Sequence, residues 1–475
     1  MVKWPFVSAV LLAVAVGACT SDAPVESSNG SAPPASTTTA APLETVDAST
    51  TTVPIELPVV FADPIDGLDE AQLERFLNGQ FLFNEQWIPV GPTETANDGL
   101  GPLFNADSCV SCHLATGRRF VPPEGPLAEA GLVIRLATGG ADPITNGPVP
   151  TTNYGDQLQD HGIGATEPEA TAYTNYVVQT GSYPDGTPFE LLWPTVNVRD
   201  RNYGELPGTT QLSARIGAQM IGMGLLEAIP DEAILAQADP TDANGDGVSG
   251  RINMVWNPVT EQHELGRFGW KSNVTTLELQ IAQAFHGDLG VTSTLLPDQN
   301  CAPTQTICDE TPNGGTAEVS DERLGDIAFY LRTLGVPPAR TEADAAATAG
   351  REHFTDFGCA TCHTPSYTTA ESVVPELSGR TIEPYTDLLL HDMGFDMADD
   401  RPDFDANGNE WRTPPLWGLG LIPVDDDRGL LHDGRARTIE EAILWHGGEG
   451  TPSRSRFMNA SAAERAELLA FLESL

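Results

Sequence analysis

Two pentapeptides carry the residue types that do chemistry in this chain: CVSCH at 109–113 and CATCH at 359–363. Paired cysteines beside a histidine can serve as a redox dithiol, as half of a zinc site, or as the attachment point of a haem. A four-cysteine zinc site sets its two knuckles about 15–20 residues apart, whereas these two lie in opposite halves of the sequence. A redox dithiol sits at the start of a helix in a βαβ setting and has no use for the histidine. Covalent haem uses every position. Two thiols add across two vinyl groups, the intervening pair sets their separation, and the adjacent histidine reaches the iron. The spacing predicts two c-type haems attached through Cys109, Cys112, Cys359 and Cys362, with His113 and His363 as proximal ligands.

The opposite face of each iron decides what it does. A methionine there raises the potential and suits electron transfer, while an open face admits peroxide or oxygen. After the second pentapeptide, DLLLHDMGFDM offers Met393 and His391 as candidate distal ligands of the C-terminal haem; Met397, His432 and His446 are further options, and each histidine could equally sit in the core. Near the first pentapeptide, QDHGIGATEPE offers His161, Glu167 and Glu169 as a distal acid or base, because heterolytic O–O cleavage needs a proton moved between the peroxide oxygens. The same stretch would also serve as a solvated loop. DPTDANGDGVSGRIN opens like a calcium loop with Asp242, Asn244 and Asp246, yet its twelfth position is Asn253, so Ca2+ and an Asx-rich turn both fit.

The elements that must hold these groups show an internal repeat. Phe104 and Phe354 each stand five residues before a first cysteine, and DIAFYLRTL (326–334) aligns without gaps on ELLAFLESL (467–475). Both of the latter carry apolar residues at helical spacing. Ser320, and Ser461 with Glu464, are the expected helix starts, and Gly335 followed by prolines is a strong stop. The stretch 174–198 reads as strand, turn, strand, and 211–229 as a glycine-rich, closely packed helix in which Met220 and Met223 are core. The expected fold is mainly α: two cytochrome c-like haem modules, 57–340 and 341–475, the first with a long insertion containing small β elements.

Residues 1–19 read as a signal peptide. Lys3 is followed by an apolar run from Phe6 to Val16, and VGAC before a polar segment is the pattern of a lipoprotein signal, with Cys19 lipid-bearing; an ordinary cleavage nearby is the plainer alternative. Residues 20–56 are a Ser/Thr/Pro-rich tether unable to bury a core. The formal charge of −43 repels nucleic acid and favours a cationic partner, or simply solubility in a salty medium. Cys301 and Cys308, in the polar loop CAPTQTIC, are expected to form a local disulfide in an exported protein.

GPLFNADSCVSCH, IGMGLLEAIP, GRFGWK, FGCATCHTP, DLLLHDMG, EWRTPPLWGLG and LHDGRARTIEEAILWHGGEG together resemble the bacterial di-haem oxidoreductase family, relatives of the di-haem cytochrome c peroxidases, from about residue 57 to the C-terminus. The resemblance implies a periplasmic or surface protein in which one haem relays electrons and the other meets hydrogen peroxide. A lipid anchor would hold it to a membrane, and a small redox protein or quinol-linked donor would feed it. The sequence departs from the related peroxidases where they place a methionine ligand shortly before a TP-containing stretch, since NEWRTPPLWG has Glu410 and Trp411 instead. Two alternatives stay open: a di-haem cytochrome that only transfers electrons, and a di-haem oxidase of a protein partner.

Overall fold

Two helix pairs frame the molecule. Helix Glu70–Asn84 lies along Asp321–Thr333, and helix Ala345–Asp356 lies along Ala462–Ser474. Their starts are written locally: Asp69 and Gln72 form a reciprocal capping box, Ser320 accepts from the Arg323 N–H, and Ser461 and Glu464 form a second box. Each pair closes on a glycine. A Cβ on Gly79 would strike the Asp326 carbonyl and lie 2.6 Å from Tyr330 Cβ; one on Gly350 would strike the Glu467 carbonyl and lie 2.8 Å from Phe471 Cβ. Asp326 and Tyr330 are the residues that align with Glu467 and Phe471, so the backbones touch at the same place twice. One turn on, Phe83 meets Tyr330 at 5.6 Å between ring centroids and Phe354 meets Phe471 at 5.4 Å. Helical periodicity puts glycine and phenylalanine on one face.

The computed structural model describes residues 61–475 apart from 94, 115–116, 119–120, 122–124, 128–130, 316, 342–343 and 423–428. All described residues belong to one compact unit, and no helix among them is long and apolar enough to cross a membrane. The signal peptide, Cys19 and the tether lie outside the described residues.

The repeat extends beyond the helices. The Gly222 N–H donates to the Leu334 carbonyl and the Gly418 N–H to that of Leu475, at 3.2 and 3.1 Å. Both glycines are left-handed, at φ +69° and +70°. A Cβ on Gly222 would run into Trp417, and one on Gly418 would lie 2.7 Å from Ile221 Cδ1. Each glycine turn is thus packed by the residue preceding the other, and the two halves meet about a pseudo-twofold axis. The repeat corrects one sequence alignment. Phe104 lies in strand Leu103–Phe104, stacked on His161 at 5.1 Å, and the true counterpart of Phe354 is Phe83. Equal spacing to the cysteines concealed this, because the connection from helix to cysteine is longer in the first half.

The interior of the first half overturns the mainly α expectation. The chain is 30% helical and 19% strand, with several small sheets. Thr171–Ser182 pairs with Pro188–Arg199 in a long hairpin whose tip turns at Asp185 and Gly186. The hairpin lies against the second half, where Tyr183 donates to Glu440 at 2.6 Å and Trp193 packs 5.7 Å from Trp445. Leu132–Ala137 pairs with Gln211–Ile216, and helix is found only over Met223–Glu227, not across 211–229. The reason is visible in QLSARI: polar and apolar residues alternate with period two, and Ser213 and Arg215 are buried against Asp399 and Asp403. Lys271, fully buried, donates to Asp399 at 2.7 Å and to the Arg401 and Asn407 carbonyls, so this ionic knot fixes the strand that leads to Ala218. Buried charges need such pairing to be tolerated at all.

Candidate functional site

Both CxxCH stretches fold into one and the same turn. Cys109–Ser111 and Cys359–Thr361 are single 3-10 turns, and the N–H of His113 and of His363 donates to the first cysteine's carbonyl at 3.0 Å in each. Each imidazole is then oriented by a backbone carbonyl. His113 Nδ1 donates to Ala218 at 2.8 Å, and His363 Nδ1 donates to Tyr385 at 2.9 Å. A carbonyl only accepts, so the proton sits on Nδ1 and the Nε2 lone pair is left for a metal. Phe83 and Phe354 pack on these rings at 6.3 and 6.2 Å. Gly217 is required here, since a Cβ would lie 2.9 Å from His113 Cε1. Burial lowers the pKa of His113 and takes that of His363 to about 4, so both stay neutral. None of the four cysteines is disulfide-bonded, and burial pushes Cys109 and Cys359 up to about 12. Thiols held protonated are the reverse of a reactive dithiol.

The first turn opens on a cavity of ≈240 Å³. Arg118 and Arg412 line it, and neither makes an ion pair with a carboxylate among the described residues. The Arg118 Nε and one terminal nitrogen of Arg412 are buried without a partner, and burial lowers both guanidinium pKa values to about 10. Such groups call for an anion. A haem fits this set: vinyl groups for the thiols, iron for Nε2 and carboxylates for the guanidiniums. Asp288 also lines the cavity, on the π-turn Phe285–Leu289 that ends helix Leu277–Ala284. Such turns recur at functional sites. Asp288 accepts from Gln157 Nε2 at 2.8 Å, Gln157 Oε1 accepts from Arg135 at 3.0 Å, and Arg135 pairs with the half-exposed Asp156. Burial raises the Asp288 pKa.

None of the three sequence candidates for an acid or base lines this cavity. His161 is paired with Asp160 at 2.8 Å and partly exposed; Glu167 is exposed. Glu169 is buried, accepts from the Gln159 N–H at 2.6 Å and from Gln305 Nε2, and has its pKa pushed up to about 8 by burial. It props a loop. Sequence reasoning missed Asp288, whose signal was a lone carboxylate inside the apolar run AFHGDLGV. Elsewhere, Cys301 and Cys308 are disulfide-bonded. Asp242 and Asp246 accept from the Gly247 and Val248 N–H groups and Asn244 from that of Asp246, the pattern of Asx turns. Among the described residues no group of three or more His, Cys, Asp or Glu could hold a metal ion.

At the second turn, His391 comes within 3.7 Å of Cys362 Sγ. Its Nε2 pairs with Asp387 and its Nδ1 with Glu449, both at 2.8 Å. Burial alone would lower its pKa, but these hydrogen bonds prevail and push it up to about 12. An imidazolium donating from both nitrogens has no lone pair for iron, so the geometry speaks against His391 as a ligand. Met393 is half-buried, its methyl carbon 3.4 Å from the position a Cβ would take on Gly450.

A family described as "Di-haem oxidoreductase, putative peroxidase" matches residues 45–475. No curated protein matches the sequence. Among solved structures, a chain of hydrazine synthase from Kuenenia stuttgartiensis, pressurised with 20 bar xenon, aligns over 92% of this chain and 100% of its own, at 14% identity and a TM-score of 0.32. A likeness that slight carries no argument about fold or chemistry. The family match spans nearly the whole chain, and the paired CxxCH turns with carbonyl-oriented histidines sit inside it: the chain belongs to the di-haem oxidoreductase family, whose cofactor is haem.

Proposed function

We propose that the protein is an exported oxidoreductase with two covalently attached c-type haems, which reduces peroxide at the Cys109–His113 site with electrons received at the Cys359–His363 site. The observation that carries this reading is the cavity at the first turn, edged by a buried carboxyl and two guanidiniums that each keep one buried nitrogen without a partner. When bound, the haems would supply the iron and would carry the electrons that the external donor provides. The chain's own residues do the rest. Cys109, Cys112, Cys359 and Cys362 anchor, and His113 and His363 present Nε2. Arg118 and Arg412 would hold the anionic edge of the first group. Asp288, whose pKa burial raises, is placed to hold and hand on a proton inside the cavity, and the line Asp156–Arg135–Gln157 orients it and connects it to the surface. The disulfide Cys301–Cys308 suits an oxidising compartment. The acidic surface suits a cationic redox protein as donor.

The test uses holoprotein brought to half reduction. The reading requires one high-spin haem that reacts with peroxide and one low-spin haem, with turnover falling when Asp288 is replaced by Asn. Two low-spin haems in every redox state, inert to peroxide, would make the protein a carrier of electrons only.

A further inference from the structure

The chain has nine histidines, and their surroundings sort them. His161 and His353 are paired with Asp160 and Glu467 near the surface. His263 is exposed, with Nε2 on the Thr145 carbonyl. His286 lies on the π-turn beside Asp156 and is hydrogen-bonded to the Asp298 backbone, with Asp298 also among the charges around it. His391 has both nitrogens on carboxylates. His432 is stacked on Trp411 at 3.6 Å, among Asp433, Arg435, Asp399 and Lys271. Three remain, and they share one pattern. His113, His363 and His446 each donate from Nδ1 to a backbone carbonyl, at 2.8, 2.9 and 2.7 Å, with Ala442 the acceptor for His446. Two of the three are the CxxCH histidines. The third follows helix Ile439–Leu444 and has no covalent reason to be held this way.

Its position leads back to the second turn. His446 begins the segment HGGEG, whose Glu449 grips His391, which in turn lies against Cys362 Sγ. Glycines clamp that segment onto 392–394: a Cβ on Gly448 would strike the Asp392 carbonyl, and one on Gly447 would lie 2.6 Å from that of Met393. On Gly450 a Cβ would crowd the His446 ring, 3.3 Å from Cδ2. The Nε2 of His446 makes no hydrogen bond among the described residues. His446 lies near enough to His363 for the two imidazoles to act on each other electrostatically.

We infer that His446 Nε2 is the second axial ligand of the haem attached at Cys359 and Cys362, giving that iron two imidazoles and no thioether. This rests on the di-haem reading above. Its consequence is a lower potential than methionine ligation would give, so the second centre is a saturated, electron-relaying iron fed by a comparably strong reductant. Met393 packs beside the ligand without replacing it.

The test is spectroscopic, on purified holoprotein with haem counted by attachment. The wild type is expected to show a low-spin bis-imidazole paramagnetic signature and no methionine–iron charge-transfer band. His446→Ala should keep both haems, convert one from low to high spin, and regain low spin on adding imidazole; Met393→Leu should change neither haem. If His446→Ala does not fold, His446→Met reports the same ligand by gaining the thioether band. A methionine–iron band in the wild type, an unaltered spectrum in His446→Ala or His446→Met, or conversion in Met393→Leu would overturn the assignment. Those outcomes leave two haems attached and so spare the di-haem reading. A wild type carrying no covalent haem would overturn both.

Discussion

Beyond His113 the space is a cavity edged by Arg118, Arg412 and Asp288; beside Cys362 stands His391, held by two carboxylates. The scaffolds under these two places are nearly superposable in their contacts, from the glycine of each helix pair to the carbonyl that receives each Nδ1. The difference therefore lies in what the intervening segments bring, not in the haem-binding unit. The first half received the long interior, which delivers Asp288, Gln157 and Trp270 to its cavity. The second half received only the HGGEG turn and the strand pair 390–392 and 410–412, which bring His446 and His391. Under the function proposed above, unequal elaboration of one repeated unit makes one copy the reactive centre and the other the relay.

The strongest way to break that comparison is to remove one centre at a time. Cys109→Ser with Cys112→Ser, and Cys359→Ser with Cys362→Ser, should each lower the attached haem from two per chain to one. Peroxide binding should vanish only with the first pair, whereas turnover with an external donor should vanish with either. If the second pair abolishes peroxide binding and the first does not, the roles are reversed. A smaller effect sharpens the chemistry within the first centre. Asp288→Asn retains shape and hydrogen bonding but gives up the proton, and should slow peroxide reduction by about 10²–10⁴-fold. Haem content and the spectrum of the other centre should stay as they were. An unchanged rate would leave Asp288 a structural partner of Gln157.

The repeat itself is open to measurement. Gly79→Ala and Gly350→Ala each push a methyl into a facing carbonyl at the matching point of their helix pairs. Overpacking of this sort costs typically about 1–3 kcal/mol, so both variants should unfold at lower denaturant, and by similar amounts. A large cost in one and none in the other would show that the pairs are alike in geometry but not in tension.

The sequence displayed the parts of this comparison that are local. A CxxCH spacing, a capping serine and an apolar period of 3.6 are complete within a dozen residues, and the helix pair partners aligned without gaps. What depended on contacts across the chain was hidden. Phe83 could not be matched to Phe354 while Phe104 kept the same distance from a cysteine. The strand Gln211–Ile216 hid behind the glycines after it, because its period-two pattern is short and its buried arginine is accounted for only by Asp399 and Asp403 far along the chain. His391 looked like a ligand for want of Asp387 and Glu449, and His161, Glu167 and Glu169 looked like acid–base groups because they followed the first pentapeptide in order, not in space.

The least of the expected effects concerns the interior that only the first half possesses. Glu169 is buried there under the disulfide-bearing loop, and burial holds its pKa near 8 against an ordinary 4.5, in spite of two donated hydrogen bonds. A carboxyl whose folded pKa lies above its unfolded one gives the fold stability that is fully present below pH 4.5 and is lost as the pH rises through 8. Glu169→Gln cannot ionise, but its amide nitrogen loses one of the two acceptor positions, at a cost of about 1 kcal/mol. At pH 4.5 the variant should therefore be the less stable protein in denaturant unfolding, and the gap should narrow as the pH approaches 8, where the wild type must charge a buried group. A gap that widens with pH would mean that the carboxylate is already charged and held by its two donors. In that case the loop beside the first centre is stabilised by charge, and the contrast with the second centre, where His391 is clamped by charge, would disappear at this point.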